Sequence, residues 1–269
     1  MDKTNTNDMA QAQIQAQTNS VKSEKLDIHK QTADASGFAG ILELFIRKFK
    51  NLAFAVLLTP VTLMCTVLMG VAAGPAFYVY RLITNPFLES SLFAQCLSQG
   101  IGLSIGYLVY GVSIIFIVPI VNLFFCSHLK AWRGIWHSVQ AIPWFIHNAL
   151  TYLVRYTFLE FVTPSPLNIL FYKMMGMKIG KGVVINSTNI SDPCLIELDD
   201  YVTIGGSAHI MAHYGQKGFL VLAPVKIGAG STIGLKASVM GGAQIGANCT
   251  VKPHAAVLPK TVLDDNTVV

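Results

Sequence analysis

The apolar positions of this chain fall into three regimes. Residues 1 to 36 are rich in Gln, Asn, Thr, Ser, Asp and Lys with few large apolar groups, too little to offset the entropy of ordering a backbone. They predict a disordered polar tail. From Asn51 to Tyr80 thirty residues pass without a formal charge, enough for a helix of about 45 Å against a hydrocarbon core of ~30 Å. A second uncharged run extends from Ser90 to Ser127. Both read as transmembrane helices, the first containing Pro60 and a small-residue patch at Gly70, Ala72, Ala73 and Gly74 that could admit a neighbouring backbone. Residues 144 to 162 are also largely apolar but include His147, Arg155 and Glu160, with all three tryptophans (Trp132, Trp136, Trp144) in or just before them. Helices lying at the membrane interface suit that mixture better than a third span.

The third regime has a period of six. From Ile227 the chain divides without a gap into IGAGST, IGLKAS, VMGGAQ, IGANCT, VKPHAA, VLPKTV and LDDNTV. Every first position is Ile, Val or Leu, and the fifth positions (Ser231, Ala237, Ala243, Cys249, Ala255, Thr261, Thr267) are all small. Helices repeat near 3.6 and half-buried strands at two, so six requires another object. A solenoid whose coil has three six-residue faces stacks one aliphatic group inward per face and fits a small residue near each corner. The same grammar appears upstream at Ile179, Leu198 and Ile204, with a slip of one between Ile185 and Leu198. Around His213 to Phe219 the hexad is lost, which predicts a loop thrown out from one corner.

The expected organisation is a tail (1–36), a transmembrane hairpin (37–130), interfacial helices and linker (131–176) and a left-handed parallel β-helix (177–269). Composition agrees, with 52% hydrophobic and 12% charged residues and a mean hydropathy of +0.52. Behind the net charge of +5, Arg47, Lys48, Lys50, Arg81, Lys130 and Arg133 flank the apolar runs, where membrane topology explains them better than nucleic acid does. The excess before the first run and after the second predicts both termini and the β-helix on the cytoplasmic side, expected to be that of a bacterial inner membrane. Five scattered cysteines form neither a disulfide framework nor a zinc motif.

The array, entered through Pro224-Val225-Lys226-Ile227-Gly228, resembles the hexapeptide-repeat acyltransferases, the superfamily of galactoside, maltose and serine acetyltransferases. The lead-in FYKMMGMKIGKG (Phe171 to Gly182) and the segment NISDPCLIELDDYVTIG (Asn189 to Gly205), following a pair of spans, also resemble the membrane-embedded C-terminal region of the peptide synthetases that make ε-poly-lysine. Adenylation and carrier domains of such synthetases are missing from this sequence.

The resemblance implies transfer of an acyl group, expected to be acetyl, from acetyl-CoA or another acyl-CoA to a hydroxyl or amine of an envelope-related or peptide acceptor. It also implies a homotrimer, envelope-biosynthesis or peptide-synthetase partners, and His213 as the catalytic base, neutral imidazole being suited to that work near pH 7. A solvated loop histidine is the plain alternative. No Asp or Glu follows within the loop to orient the ring. His209 is an acceptor-site candidate expected near His213, and His254 reads as a turn residue. The pantetheine arm of the donor would lie against backbone near Gly234, Ala237, Gly241 and Gly242, with Lys252 and Lys260 toward its phosphates. The repeat itself also asks for Gly and Ala at such positions. No metal is expected. A non-catalytic membrane-anchored scaffold is one rival, and a zinc protein like the γ-class carbonic anhydrases another, although HIMAH is one residue shorter than their HxxxxH pair.

Overall fold

In the computed structural model the described residues are 37–126, 129–136 and 138–269. The tail expected over 1–36 lies outside them. Helix α1 (Gly37–Lys48) leads into α2 (Lys50–Thr84), and a 3-10 turn over Asn85–Phe87 returns the chain into α3 (Leu92–Cys126). The stretches Leu58–Phe87 and Leu92–Phe124 are both long and apolar enough to cross a membrane, with 11% of the most apolar window of the first and 33% of that of the second buried within the protein. Thr59, Thr62 and Thr66 bond back to carbonyls four residues earlier, so their hydroxyls are satisfied inside the helix. Of the small-residue patch, Gly70 and Gly74 face open space, whereas Ala72 is fully buried in the core with Ile114, Ile115 and Val118. The close approach belongs to α3: a Cβ on Gly102 would touch the Tyr80 ring at 3.0 Å, and one on Gly106 the Ala76 carbonyl oxygen at 3.4 Å.

Beyond α3 the chain makes a short strand, β1 (Trp132–Ile135), then α4 (Ile142–Val154), which runs into a π-helical turn over Arg155–Leu159, and α5 (Pro166–Met174). Residues 132–135 thus differ from the interfacial helix expected there. Ser165 caps α5 by accepting the Leu167 amide.

From Lys178 onward the chain is a parallel solenoid, consistent with a left-handed β-helix. Three parallel sheets form its faces. The first joins β2 (Lys178–Ile179), β5 (Ile196–Leu198), β10 (Val225–Ile227), β13 (Gln244–Ile245) and β16 (Val262–Leu263). The second joins β3 (Val184–Ile185), β6 (Thr203–Ile204), β11 (Thr232–Ile233) and β14 (Thr250–Val251). The third joins β4 (Ile190–Ser191), β7 (His209–Met211), β12 (Ser238–Val239) and β15 (Ala256–Val257). Register aligns the hexad leaders into inward columns: Ile179, Leu198, Ile227 and Ile245 on the first face, Ile185, Ile204, Ile233 and Val251 on the second, Ile190, Ile210, Val239 and Val257 on the third. That is the core, and its burial drives the winding. The fourth position of each regular hexad turns the corner with positive φ, from Gly230 and Lys236 through Gly242, Asn248, His254 and Lys260 to Asn266. Of the fifth positions, Ser231, Ala237, Ala243 and Cys249 are buried just inside those corners.

One corner breaks the rule. Between the third and first faces the first coil spends extra residues on a 3-10 turn over Pro193–Leu195. In the next coil the same corner extrudes a hairpin, β8 (His213–Gln216) and β9 (Phe219–Leu222), to which β1 adds as a third antiparallel strand. The expected loop is therefore ordered as a small sheet. Its edge was available for pairing, and β1 covers it.

Candidate active site

The two irregularities stack. Asp192, at the head of the 3-10 turn, adopts left-handed backbone geometry with φ 62° and is fully buried. His213 opens the hairpin in the coil above. Its Nδ1 lies 2.5 Å from Asp192 Oδ2. The other carboxylate oxygen, Oδ1, accepts from Trp144 Nε1 at 2.8 Å and from Asn148 Nδ2 at 2.9 Å. Trp144 and Asn148 are four apart on α4, so one helical face presents both donors, and Asn148 also bonds the Trp144 carbonyl. The Trp144 ring meets the imidazole edge-on, centroids 5.0 Å apart.

Burial alone pushes the Asp192 carboxyl up, but the hydrogen bonds from His213 and Asn148, joined by the positive charge of either His213 or His147 when that ring is protonated, outweigh it and hold the group below its ordinary range. When the His213 ring is neutral, an ionised Asp192 fixes its tautomer: Nδ1–H donates to Oδ2, which leaves the Nε2 lone pair free. No hydrogen bond to Nε2 forms among the described residues, and the side chain keeps 19% of its surface exposed. A half-open imidazole with a free lone pair, backed by a buried carboxylate, is the geometry of a general base.

A second buried set supports the first. His147, between Trp144 and Asn148 on α4, has its Nδ1 2.7 Å from Asn122 Oδ1 on α3 and its Nε2 3.7 Å from Cys194 Sγ in the 3-10 turn. Burial lowers its pKa to about 4, against a smaller upward pull from Asp192. The ring is neutral near pH 7, so Nδ1–H donates to Asn122 and Nε2 accepts from the thiol. Asn122, His147 and Cys194 thereby tie the long helix α3 to the turn that shapes Asp192. Leu129, Ala141, Trp144, Leu220 and Leu222 form a separate small core beneath the hairpin. At the end of α4 Tyr152 meets Ser191, and Arg155 of the π-helical turn that follows meets Asn189, so the helix is fastened along the first coil.

The other sequence candidates divide by corner. Gly241 and Gly242 belong to the His213 corner one coil on: a Cβ on Gly241 would stand 3.1 Å from the His213 amide nitrogen, and one on Gly242 3.0 Å from Lys260 Cγ. Lys260 continues that column, its amide bonded to the Gly241 carbonyl. Gly234 and Lys252 sit at a different corner, where a Cβ on Gly234 would be 2.5 Å from the Pro253 nitrogen, a packing demand of the coil stack. Ala237 is fully buried inside the solenoid, so it presents no surface to a ligand. His209 is exposed on the third face, in register with Ser238, and makes no hydrogen bond or ring contact to His213 among the described residues. His254 is an exposed turn residue. Among the described residues no group of three or more His, Cys, Asp or Glu is placed to hold a metal ion.

Sequence reasoning missed Asp192, Trp144, Asn148 and His147. The available signal was the hexad slip between Ile185 and Leu198, where the chain writes Ser191-Asp192-Pro193.

No known family's sequence profile matches the chain, and no curated protein matches it. Solved structures are similar. A maltose O-acetyltransferase from Clostridium difficile 630 aligns over 52% of this chain and 91% of its own at 16% identity and a TM-score of 0.36. Serine acetyltransferase of Neisseria gonorrhoeae aligns over 72% of this chain and 61% of its own at 14% identity and a TM-score of 0.32. At those values the likeness carries no argument about chemistry. The solenoid rests on the hydrogen-bonded register of this chain.

Proposed function

We propose that this protein is a membrane-anchored acyltransferase that moves an acyl group, acetyl in the simplest case, from a thioester such as acetyl-CoA to a hydroxyl or amine. The observation that carries the reading is the His213–Asp192 pair at 2.5 Å, with the carboxylate fully buried and donated to on its far oxygen by Trp144 and Asn148. A scaffold has no need of a buried carboxylate aimed at a half-exposed imidazole, since burying that charge costs free energy unless all its bonds are kept.

In the reaction, His213 Nε2 removes the proton of the acceptor as its oxygen or nitrogen bonds to the thioester carbonyl carbon. Asp192 stabilises the imidazolium that forms and does not itself take the proton. The tetrahedral adduct then collapses with cleavage of the carbon–sulfur bond, and the departing thiolate recovers the proton from Nε2. The donor's pantetheine would run beside Gly241 and Gly242, with Lys260 toward its phosphates. The two long apolar helices supply the anchor, and the basic residues around them put both termini and the solenoid in the cytoplasm. A homotrimer suits the flat, exposed solenoid faces, and a peptide acceptor stays open through the resemblance to the ε-poly-lysine synthetase region. Replacing His213 with Ala tests the reading: coenzyme A release by the purified full chain, supplied with acetyl-CoA and lipid vesicles, is expected to fall by about 10³-fold or more. Activity that survives the change removes His213 as the base.

A further inference from the structure

The long helix and the candidate base are a few contacts apart. Asn122 lies in the last turn of the stretch Leu92–Phe124 and bonds His147 at 2.7 Å. Three residues back along α4, a rise of about 4.5 Å, stands Trp144. Its ring is 5.0 Å from that of His213. The whole path is on the order of 10–15 Å, comparable with a headgroup layer of about 5–8 Å plus the reach of a headgroup beyond it.

The tryptophans mark the same level independently. Trp136 packs on Trp144 at 5.5 Å and lies against Gly215, two residues past His213. Trp132 shares one row of the three-stranded sheet with His213, both being paired with Leu222. All three tryptophans of the chain therefore lie on the hairpin side of the site, Trp144 against the imidazole and Trp136 and Trp132 farther out, and tryptophan favours the membrane–water interface, where an apolar ring and a polar N–H are both accommodated. Lys130 and Arg133 flank Trp132 in sequence and are exposed, Arg133 on the opposite sheet face over Phe219, positive charges suited to an anionic headgroup.

From these observations we propose that the acceptor is a lipid-anchored molecule, presenting its hydroxyl or amine to His213 at headgroup depth while its tail stays in the bilayer. The inference rests on the acyl-transfer and two-span reading above, and it excludes a small water-soluble acceptor as the physiological one. An acceptor held in this way reaches the base by lateral diffusion, and the Trp144 ring closes the side of the imidazole facing α4.

The test uses the full chain in phosphatidylcholine–phosphatidylglycerol vesicles. Because every tryptophan lies in this region, on or beside the hairpin sheet, intrinsic fluorescence reports the depth of that region. Lipids brominated near the glycerol end of their acyl chains are expected to quench roughly twofold more than lipids brominated near the terminal methyl, as for residues of the interfacial belt. The His213→Ala variant should quench identically. A second arm supplies labelled acetyl-CoA with vesicles made from the lipid extract of the cells that make the protein, and the label is expected in the chloroform phase with wild type but not with His213→Ala. Absence of quenching overturns the proposal even if acyl transfer occurs, and so does label that accumulates only in water-soluble product. Interfacial quenching without any His213-dependent release of coenzyme A overturns the acyl-transfer reading instead, and the proposed acceptor with it.

Discussion

Asp192→Asn is the substitution whose consequence the structure determines most narrowly. The carboxylate accepts three hydrogen bonds, from His213 Nδ1 on one oxygen and from Trp144 Nε1 and Asn148 Nδ2 on the other. An asparagine has one acceptor end and one donor end. With its oxygen toward Trp144 and Asn148 its amide faces His213, so Nδ1 must become the acceptor and the ring proton moves to Nε2, abolishing the base. With its oxygen toward His213, two buried donors are left facing an amide that also donates, an unpaired arrangement that costs about 1–3 kcal/mol for each group. The first arrangement is therefore preferred, and the wrong tautomer is locked in. A triad aspartate changed to asparagine lowers turnover about 10⁴-fold for this reason, so a loss of roughly 10³ to 10⁴ in kcat, or ~4–5 kcal/mol of barrier, is expected here. The assay is steady-state release of coenzyme A by the reconstituted full chain, with the fold checked by far-ultraviolet dichroism. Turnover within about threefold of wild type would refute the tautomer argument.

Three further outcomes are expected. Trp144→Phe keeps an apolar ring beside His213 but removes one donor to a buried carboxylate, and Asn148→Leu removes the other; each should cost about 2 kcal/mol in kcat/KM and raise the pH at which activity appears, measured as a pH–rate profile. Burial holds the His147 pKa down to about 4 in the folded chain, against an ordinary 6.5. Its depressed value means the unfolded chain binds the proton first, so stability held above pH ~6.5 drains away as pH falls toward ~4, by up to ~3 kcal/mol. The Asp192 contribution has the other window, since a depressed carboxyl keeps its stabilisation until pH falls below its ordinary range. Thermal midpoints recorded across that interval should decline for wild type and stay flatter for His147→Gln. Gly234→Ala sets a methyl 2.5 Å from the Pro253 backbone nitrogen and should cost about 1–3 kcal/mol of stability, read as a lowered unfolding midpoint, while leaving the His213 corner intact.

The solenoid was legible because its cause is periodic: one inward aliphatic per face leaves a mark in every hexad, and from Ile227 to Leu263 nothing interrupts it. His213 was legible as the histidine inside the interruption. Its partner was not, because a search for an orienting carboxylate within the loop looks along the chain, whereas a solenoid brings together residues about one coil apart. Asp192 is 21 residues before His213 and directly beneath it. The slip between Ile185 and Leu198 was visible, but only the register of β4 with β7 and of β5 with β10 shows that it falls at the corner from which the hairpin leaves. Strand β1 was hidden for a different reason. Trp132–Ile135 has no alternation of its own and becomes a strand because β9 offers it an unpaired edge.

The same geometry bears on why the helices and the solenoid form one chain. A solenoid by itself supplies His213 and Asp192, but with α4 removed the Oδ1 atom of Asp192 loses both donors, and a charge with one bond left in an apolar corner would take up a proton or turn outward. Either result releases the tautomer of His213. The helix that prevents this is fastened to α3 through Asn122 and His147 and to the first coil through Tyr152 and Arg155. Basicity at Nε2 is thus conditional on α4 lying where α3 holds it. Asn122→Leu, which touches neither His213 nor Asp192, should therefore lower kcat by about tenfold through the loosened helix. It should leave the solenoid's own melting unchanged, because the coil columns from Ile227 onward make no use of that bond. Equal loss of both would mean the contact is merely structural; loss of turnover alone would mark α3 as part of the catalytic support.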